Sequence, residues 1–191
     1  MRKDEQTYFT FLGGLPDAMG ELRLRSDGTA LTAIDFAGHT AGYGPDFGDE
    51  PTGWRRADEH PILRQAVTEL REYFAGARQE FTVPLALSGT EFQRGVWKEL
   101  CNIPYAQTWS YVDLARRIGK PQASRAVGAA NGRNPVPIIV PCHRVIGATG
   151  QLTGYGGGLP RKKMLLELER GPQLSGRSGD LFAAHMTGSS G

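Results

Sequence analysis

Residues 134–146 read Asn-Pro-Val-Pro-Ile-Ile-Val-Pro-Cys-His-Arg-Val-Ile and set a thiol, an imidazole and a guanidinium side by side at Cys142, His143 and Arg144. Three prolines in seven positions exclude a regular helix and hold the backbone extended, while the Ile-Ile-Val run buries it. A free cysteine in such a setting is usually core packing. Three features favour a nucleophile instead. His143 is the only one of the four histidines (His39, His60, His143, His185) within the basic stretch 90–170. Arg144 adds positive charge that favours a thiolate, and the proline framing holds the sulfur in place.

An unperturbed thiol with a pKa of about 8.5 is less than about 10% ionised at neutral pH, so activation needs a base or a nearby cation. Adjacent residues of an extended segment face opposite ways, so a water bridging Cys142 to His143 is simpler than direct contact. His143 in turn needs an orienting carboxylate. The basic stretch offers five acids, Glu91, Glu99, Asp113, Glu167 and Glu169, and spacing does not choose among them.

The elements that must position this chemistry belong to a chain of 191 residues, 39% hydrophobic and 22% charged, enough for one large or two small domains. General disorder is excluded, and no apolar run reaches the roughly 18 residues of a membrane span. The first residues, MRKDEQTYFTF, lack the apolar core of a secretory signal, so the expected location is cytoplasmic. Two cysteines, Cys101 and Cys142, build neither a disulfide scaffold nor a zinc site, and no metal is expected. The net charge of +2 divides unevenly: residues 1–89 carry −5 and residues 90–170 carry +7. Such an asymmetry tilts towards a polyanion-binding half, although two solvated faces of unequal charge would look the same.

The N-terminal part reads as α/β. Strands are expected at Tyr8–Leu12, Gly20–Arg25 and Ala30–Phe36, separated by Gly-, Pro- and Asp-rich turns, with a long loop over 37–58. Pro61 opens a helix whose Ile62, Leu63, Ala66, Val67, Leu70, Tyr73 and Phe74 recur at helical spacing until Gly76. Phe81–Leu87 is a fourth strand candidate, and 88–90 a boundary. The expected architecture is an α/β domain over 1–88 with a small antiparallel sheet and helix. It is followed by a mainly α, helix-turn-helix (winged-helix-like) domain over 89–170 and a disordered Gly/Ser-rich tail over 171–191.

In the second part, Phe92, Val96, Trp97, Leu100 and Cys101 share a helical face, which makes Cys101 a buried small residue. Ser110-Tyr-Val-Asp113 has the capping-box pattern, Gly119 breaks the helix that follows, and Pro121 opens another. Helix, glycine turn, helix is the outline of a helix-turn-helix, but any short α-hairpin shares it. The second helix is built of small residues, Ala123, Ser124, Ala126, Gly128, Ala129 and Ala130, from which Arg125 projects. Close helix packing accounts for that as well as a helix slim enough for a minor groove. The glycine-rich stretch 147–158 lacks the Gly-Lys-Ser/Thr ending of a phosphate loop and reads as a lid or pocket wall around Tyr155. Pro160 begins a last helix with Leu165, Leu166 and Leu168 inward and Glu169 near its end.

Together, Pro141-Cys-His-Arg-Val145, Asn134-Pro, Gly154-Tyr-Gly-Gly, Ile103-Pro-Tyr, Ser110-Tyr111, Ser124-Arg-Ala-Val-Gly128 and Leu-Leu-Glu-Leu-Glu169 resemble the signature of O6-alkylguanine-DNA alkyltransferases. The resemblance covers residues 90–170 in motif order and residues 1–89 in layout alone. It implies irreversible, single-use transfer of an alkyl group from guanine O6, or thymine O4, in double-stranded DNA to the protein's own cysteine, with no cofactor. On this resemblance Cys142 is the alkyl acceptor, His143 the base acting through water, and Glu169 its orienting partner. Tyr111 donates to N3 of the flipped base, and Asn134 ties the recognition helix to the active segment. Arg125 fills the gap in the base stack from a minor-groove helix that includes Ala123, Ser124, Ala126 and Gly128. Val145, Tyr155, Gly156 and Gly157 line the base pocket.

Two other functions would use the same residues. An alkyltransferase-like damage sensor would bind and flip lesions without transfer, and the reactive-looking Cys142 counts against it. A Cys/His hydrolase would need a substrate cleft and oxyanion signal that the sequence does not show. The expected state is a monomer in solution with no membrane contact, and cooperativity on DNA is left open.

Overall fold

The computed structural model describes residues 6–37 and 52–171. The tail expected over 171–191, apart from Gly171, and most of the loop expected over 37–58, with His39, lie outside the described residues. Strands β1 (Thr7–Leu12), β2 (Leu22–Ser26), β3 (Leu31–Phe36) and β4 (Trp54–Arg56) form one sheet in the order β3-β2-β1-β4. β1, β2 and β3 pair antiparallel, with Leu12 opposite Leu22 and Leu22 opposite Phe36. β4 was not foreseen. It pairs parallel to β1, Thr7 opposite Trp54, so the expected antiparallel sheet is mixed. Its three residues, Trp-Arg-Arg, carry no alternation that would reveal a strand.

Helix α1 (Pro61–Phe74) has Pro61 in its first turn and stops before Gly76, whose φ of 73° an L side chain adopts only with strain. It turns Leu63, Ala66, Leu70 and Tyr73 onto the sheet. The strand expected at Phe81–Leu87 is not one. Leu31 makes a single bridge to Leu85, through Leu31 N to Pro84 O and Ala86 N to Leu31 O. Pro84 has no N–H to extend the ladder.

Helix α2 (Glu91–Leu100) starts at a capping box between Thr90 and Gln93 and buries Val96, Trp97 and Leu100. Cys101, expected inside, is the exposed C-cap, with its thiol donating to Trp97 O. The Trp97 ring fills the space over Gly89, where a Cβ would come within 2.7 Å of it, and its indole N–H donates to Ala130 O. That bond ties α2 to α4 (Ser124–Gly132). Between them lie β5 (Trp109–Ser110) and α3 (Tyr111–Arg117), opened by the foreseen box of Ser110 and Asp113. Pro121 does not open α4. Residues 120–123 form a turn, Ala123 N to Lys120 O at 2.8 Å, and Ala123 is the N-cap.

The chain then makes a 3-10 turn at Cys142–Arg144, strand β6 (Val145–Ile146) parallel to β5, and α5 (Leu159–Arg170). One buried apolar cluster runs from Leu12, Leu24 and Ile34 through Tyr73 and Trp97 to Val140, Cys142 and Leu165. Backbone bonds also cross between the two parts, such as Ile34 N to Pro135 O. The N-terminal sheet thus braces the active-site segment directly.

Candidate active site

The segment after α4 is held by one side chain. Asn134 Oδ1 accepts from Val136 N at 3.0 Å, while its amide donates to Val140 O at 2.8 Å and to Cys142 Sγ at 3.1 Å. Within this clasp the chain reverses through a turn closed by Val140 N to Val136 O, with buried Ile138 at φ 78°. A β-branched residue there costs about 1–3 kcal/mol, which the surrounding packing must offset. The prolines exclude an α-helix as expected, but the stretch is not extended to its end. Pro141 leads into a tight turn that buries Cys142, His143 and Arg144 together.

Cys142 is 3% exposed and His143 fully buried. Burial pushes the Cys142 thiol up to about 11, against the opposing pull of the Asn134 hydrogen bond and the Lys162 charge. His143 Nε2 lies 2.8 Å from Glu169 Oε1, and its Nδ1 is buried with no hydrogen-bond partner among the described residues. Burial would raise the Glu169 carboxyl, but the hydrogen bonds from His143 and Arg144 outweigh it and hold it near 2. An ionised Glu169 only accepts, so Nε2 carries the ring proton and Nδ1 is left with the basic lone pair. Burial holds the His143 pKa below its ordinary value, so the ring rests neutral.

Glu169 gathers more than the imidazole. Arg144 Nη2 donates to Oε1 at 2.8 Å, Arg144 Nε to Oε2 at 2.9 Å, Tyr73 OH to Oε1 at 2.8 Å, and Ala106 N to Oε2 at 3.0 Å. The expectation that Arg144 charge favours the thiolate is therefore corrected. Its guanidinium is taken up by Glu169 and by Ile103 O, at 2.7 Å. The cation that acts on Cys142 is Lys162, fully buried, whose Nζ donates to Val145 O at 2.5 Å and Thr153 O at 2.6 Å. Burial lowers its pKa to about 8. Sequence reading missed Lys162 and Tyr73. The available signal for the first was its position seven residues before Glu169, on the same helix face.

A cavity of about 190 Å³ opens beside the nucleophile, walled by Cys142, Asn134, Tyr155, Gly156 and Gly157. The glycine-rich stretch is therefore a pocket wall. Gly157 packs so closely on Phe36 that a Cβ would sit 2.7 Å from that ring, and a Cβ on Gly156 would sit 3.2 Å from Gly132 O. Tyr111 and Val145 do not line this cavity. The Tyr111 ring lies beside Gly128, its hydroxyl donating to Thr153 O and Gly154 O at 3.1 Å each, and Val145 is fully buried with its carbonyl on Lys162.

On α4, Val127, Ala130 and Asn131 face inward, while Arg125 and Ala126 are exposed, with Ser124 and Gly128 half-buried. Arg125 makes no ion pair or hydrogen bond among the described residues. No group of His, Cys, Asp and Glu among them is arranged to hold a metal, and no helix is long and apolar enough to cross a membrane.

Comparison with known proteins agrees with this geometry. Residues 91–171 match the family model for the 6-O-methylguanine DNA methyltransferase DNA binding domain, and residues 16–87 that for its ribonuclease-like domain. A methylated-DNA–protein-cysteine methyltransferase of Mycobacterium leprae is 51% identical over 152 residues, 80% of this chain and 87% of that protein. One of Methanosarcina acetivorans is 47% identical over 151 residues, 79% of this chain and 92% of that protein. The crystal structure of Mycobacterium tuberculosis OGT in complex with DNA superposes with a TM-score of 0.73 at 46% identity, covering 85% of this chain and 92% of that one. With both halves matched and relatives this similar along most of their length, the chain belongs to the methylated-DNA–protein-cysteine methyltransferase family.

Proposed function

We propose that this protein reverses DNA alkylation by moving the alkyl group of an O6-alkylguanine, or O4-alkylthymine, onto Cys142, irreversibly and once per molecule. The observation that carries the reading is the buried pair of His143 and Glu169 next to Cys142, in which Glu169 fixes the tautomer that leaves His143 Nδ1 basic. A water between Nδ1 and the thiol passes the Cys142 proton to His143, and the fixed Glu169 charge stabilises the imidazolium. The thiolate attacks the alkyl carbon. The S–C bond forms as the C–O6 bond breaks, its electron pair moves to O6, and the thiol proton ends on the restored base. The thioether has no nearby group to hydrolyse it, so the protein is consumed.

The lesion must leave the duplex to reach a thiol that is 3% exposed, at a cost of a few kcal/mol. Arg125, free of partners among the described residues on the exposed face of α4, fills the gap from the minor groove, and Ala123, Ser124, Ala126 and Gly128 let the backbone approach closely. Tyr111 then gives up the Thr153 and Gly154 carbonyls to donate to N3 of the base. Lys162 keeps its bond to Thr153 O meanwhile. Asn134 holds the thiol in register, and Tyr155, Gly156 and Gly157 enclose the base, with Val145 behind the active segment. Residues 1–88 act as the brace and 89–170 as the transfer domain of a monomer working inside the cell.

The Cys142→Ala variant tests this reading. It loses transfer from duplex DNA carrying O6-methylguanine and binds that duplex within about threefold of the unsubstituted protein, since phosphate contacts dominate affinity. Transfer by Cys142→Ala would overturn it.

A further inference from the structure

We infer that Asn131 reads the 2-amino group of the alkylated guanine, through a side-chain oxygen held ready in the wall of the cavity beside Cys142. The inference rests on the alkyl-transfer reading above and adds a recognition residue to it. Asn131 is the polar member of the buried face of α4, beside Val127 and Ala130, and is 1% exposed. Packing alone would favour an apolar side chain there, since a buried amide must find partners for both of its ends.

One end is accounted for. The Asn131 amide nitrogen donates to the Cys142 carbonyl at 3.4 Å. That bond fixes the orientation of the group, because turning it over would set two oxygens against each other. The other end, Oδ1, is buried with no hydrogen-bond partner among the described residues, and Asn131 lines the cavity together with Cys142, Asn134 and Tyr155. The helix turn that carries it is held in place, since the Trp97 indole donates to the carbonyl of neighbouring Ala130 at 2.9 Å. A buried acceptor without a donor costs free energy, and in native proteins something completes it.

The flipped base brings one such donor. Alkylation at O6 removes the N1 proton of guanine, so N1, N3 and N7 all accept and the 2-amine is left to donate. Around the ring that amine stands between the O6 edge and N3. Asn131 has the matching place in the protein. Its amide reaches the Cys142 carbonyl, while Gly128, three residues earlier on the same helix face, lies so near Tyr111 that a Cβ would stand 3.7 Å from that ring. In the reading above O6 faces Cys142 and N3 faces Tyr111, so the amine falls towards Oδ1. The other unpartnered groups on this cavity are Arg25 Nε, a donor that cannot take an amine, and the Tyr155 hydroxyl. A hydroxyl can accept as well as donate, so Tyr155 is the rival that the test must separate.

The test is single-turnover transfer from two duplexes, one carrying O6-methylguanine and the other O6-methylhypoxanthine, which lacks the 2-amine and is otherwise the same base. The unsubstituted protein transfers from the guanine about tenfold faster, the weight of a buried hydrogen bond that one base makes and the other leaves unmade. In Asn131→Leu and Asn131→Ala that ratio falls to about one, with the loss in the guanine rate. Effects of the missing amine on the duplex itself are common to all variants and cancel in the comparison. Two variants of different size keep the result readable if one of them folds poorly. Tyr155→Phe keeps the ratio. Equal slowing on both duplexes with the ratio unchanged would make Asn131 a support for the Cys142 carbonyl and overturn the proposal. So would the absence of a guanine preference in the unsubstituted protein, or a ratio lost in Tyr155→Phe. Failure of the unsubstituted protein to take a methyl group from either duplex would instead bring down the alkyl-transfer reading beneath it.

Discussion

Lys162 and Glu169 stand seven residues apart on one face of α5 and grip the active-site segment at two points, Nζ on the Val145 carbonyl at 2.5 Å and the carboxylate on His143 at 2.8 Å. Their order runs against the helix dipole, which favours anions in the first turn and cations in the last. The first turn of α5 carries Arg161 and Lys162 and no acid, and its last turn holds Glu169 beside Arg170. Lys162 and Arg161 offset this cost by donating to carbonyls of the loop that precedes the helix, Thr153 and Gly157 among them. The helix therefore acts as the clamp for both the base and the pocket wall.

Glu169→Gln separates the charge from the shape of that clamp. Arg144 would lose its counter-ion in a buried site, and breaking such a pair costs about 3–5 kcal/mol. Transfer falls at least about a hundredfold, the scale of an acid–base contribution. The pH dependence has a definite sign. Glu169 is held near 2 from an ordinary 4.5, so its stabilisation is complete above about 4.5 and is lost as the pH falls towards 2. Urea denaturation from pH 6 to 3 shows a shallower loss of stability in Glu169→Gln than in the unsubstituted protein.

Lys162 has a distinct signature at Cys142. Its charge is present below about 8 and gone above it, and while present it eases ionisation of a thiol that burial holds at about 11. Iodoacetamide labelling, read on the Cys142 peptide, is slow at pH 7 and rises with pH. In Lys162→Met it is about tenfold slower at pH 7, the effect of one pKa unit, and the gap closes towards pH 10 as the lysine of the unsubstituted protein neutralises. A gap of constant size across that range would mean that Lys162 acts by packing alone.

Much of this site was legible before the fold was known, for physical reasons. The prolines around Cys142 and the capping box at residues 110–113 act over a few residues, so sequence reports them directly. Glu169 was reached through resemblance, since its link to His143 spans 26 residues. Tyr73 reads as an ordinary helix position, and nothing local marks that it reaches Glu169 across 96 residues, while the burial of Lys162 is marked only by its place on the Glu169 face of α5. Arg144 misled because its charge was visible and its partner was not. β4 escaped because a three-residue strand is defined by its neighbour, β1, and not by its own pattern.

Arg125→Ala tests the DNA face without touching the core. Arg125 is exposed and has no internal partner among the described residues, so the melting temperature stays within about 2 °C. Transfer from duplex DNA slows by about tenfold or more, because the flipped state loses what fills the stack. Transfer from a free O6-alkylguanine base, which needs no flipping, is unchanged. Equal slowing on both substrates would remove Arg125 from this role.

Ala106 offers a stabilising change. It sits at φ 61° while its N–H donates to Glu169, a conformation that costs an L residue about 1–2 kcal/mol. Ala106→Gly relieves that strain at some cost in chain entropy and raises stability by about 0.5–1 kcal/mol, measured by urea denaturation. A loss of stability would show that the Ala106 methyl packs usefully.

The most direct test of alkyl transfer to Cys142 is mass spectrometry of the intact protein and its peptides after incubation with excess duplex DNA carrying O6-methylguanine. The account predicts a single added methyl, saturating at one per protein and confined to the Cys142 peptide. Methyl on another residue, more than one per molecule, or lesion-dependent DNA binding with no adduct would contradict it.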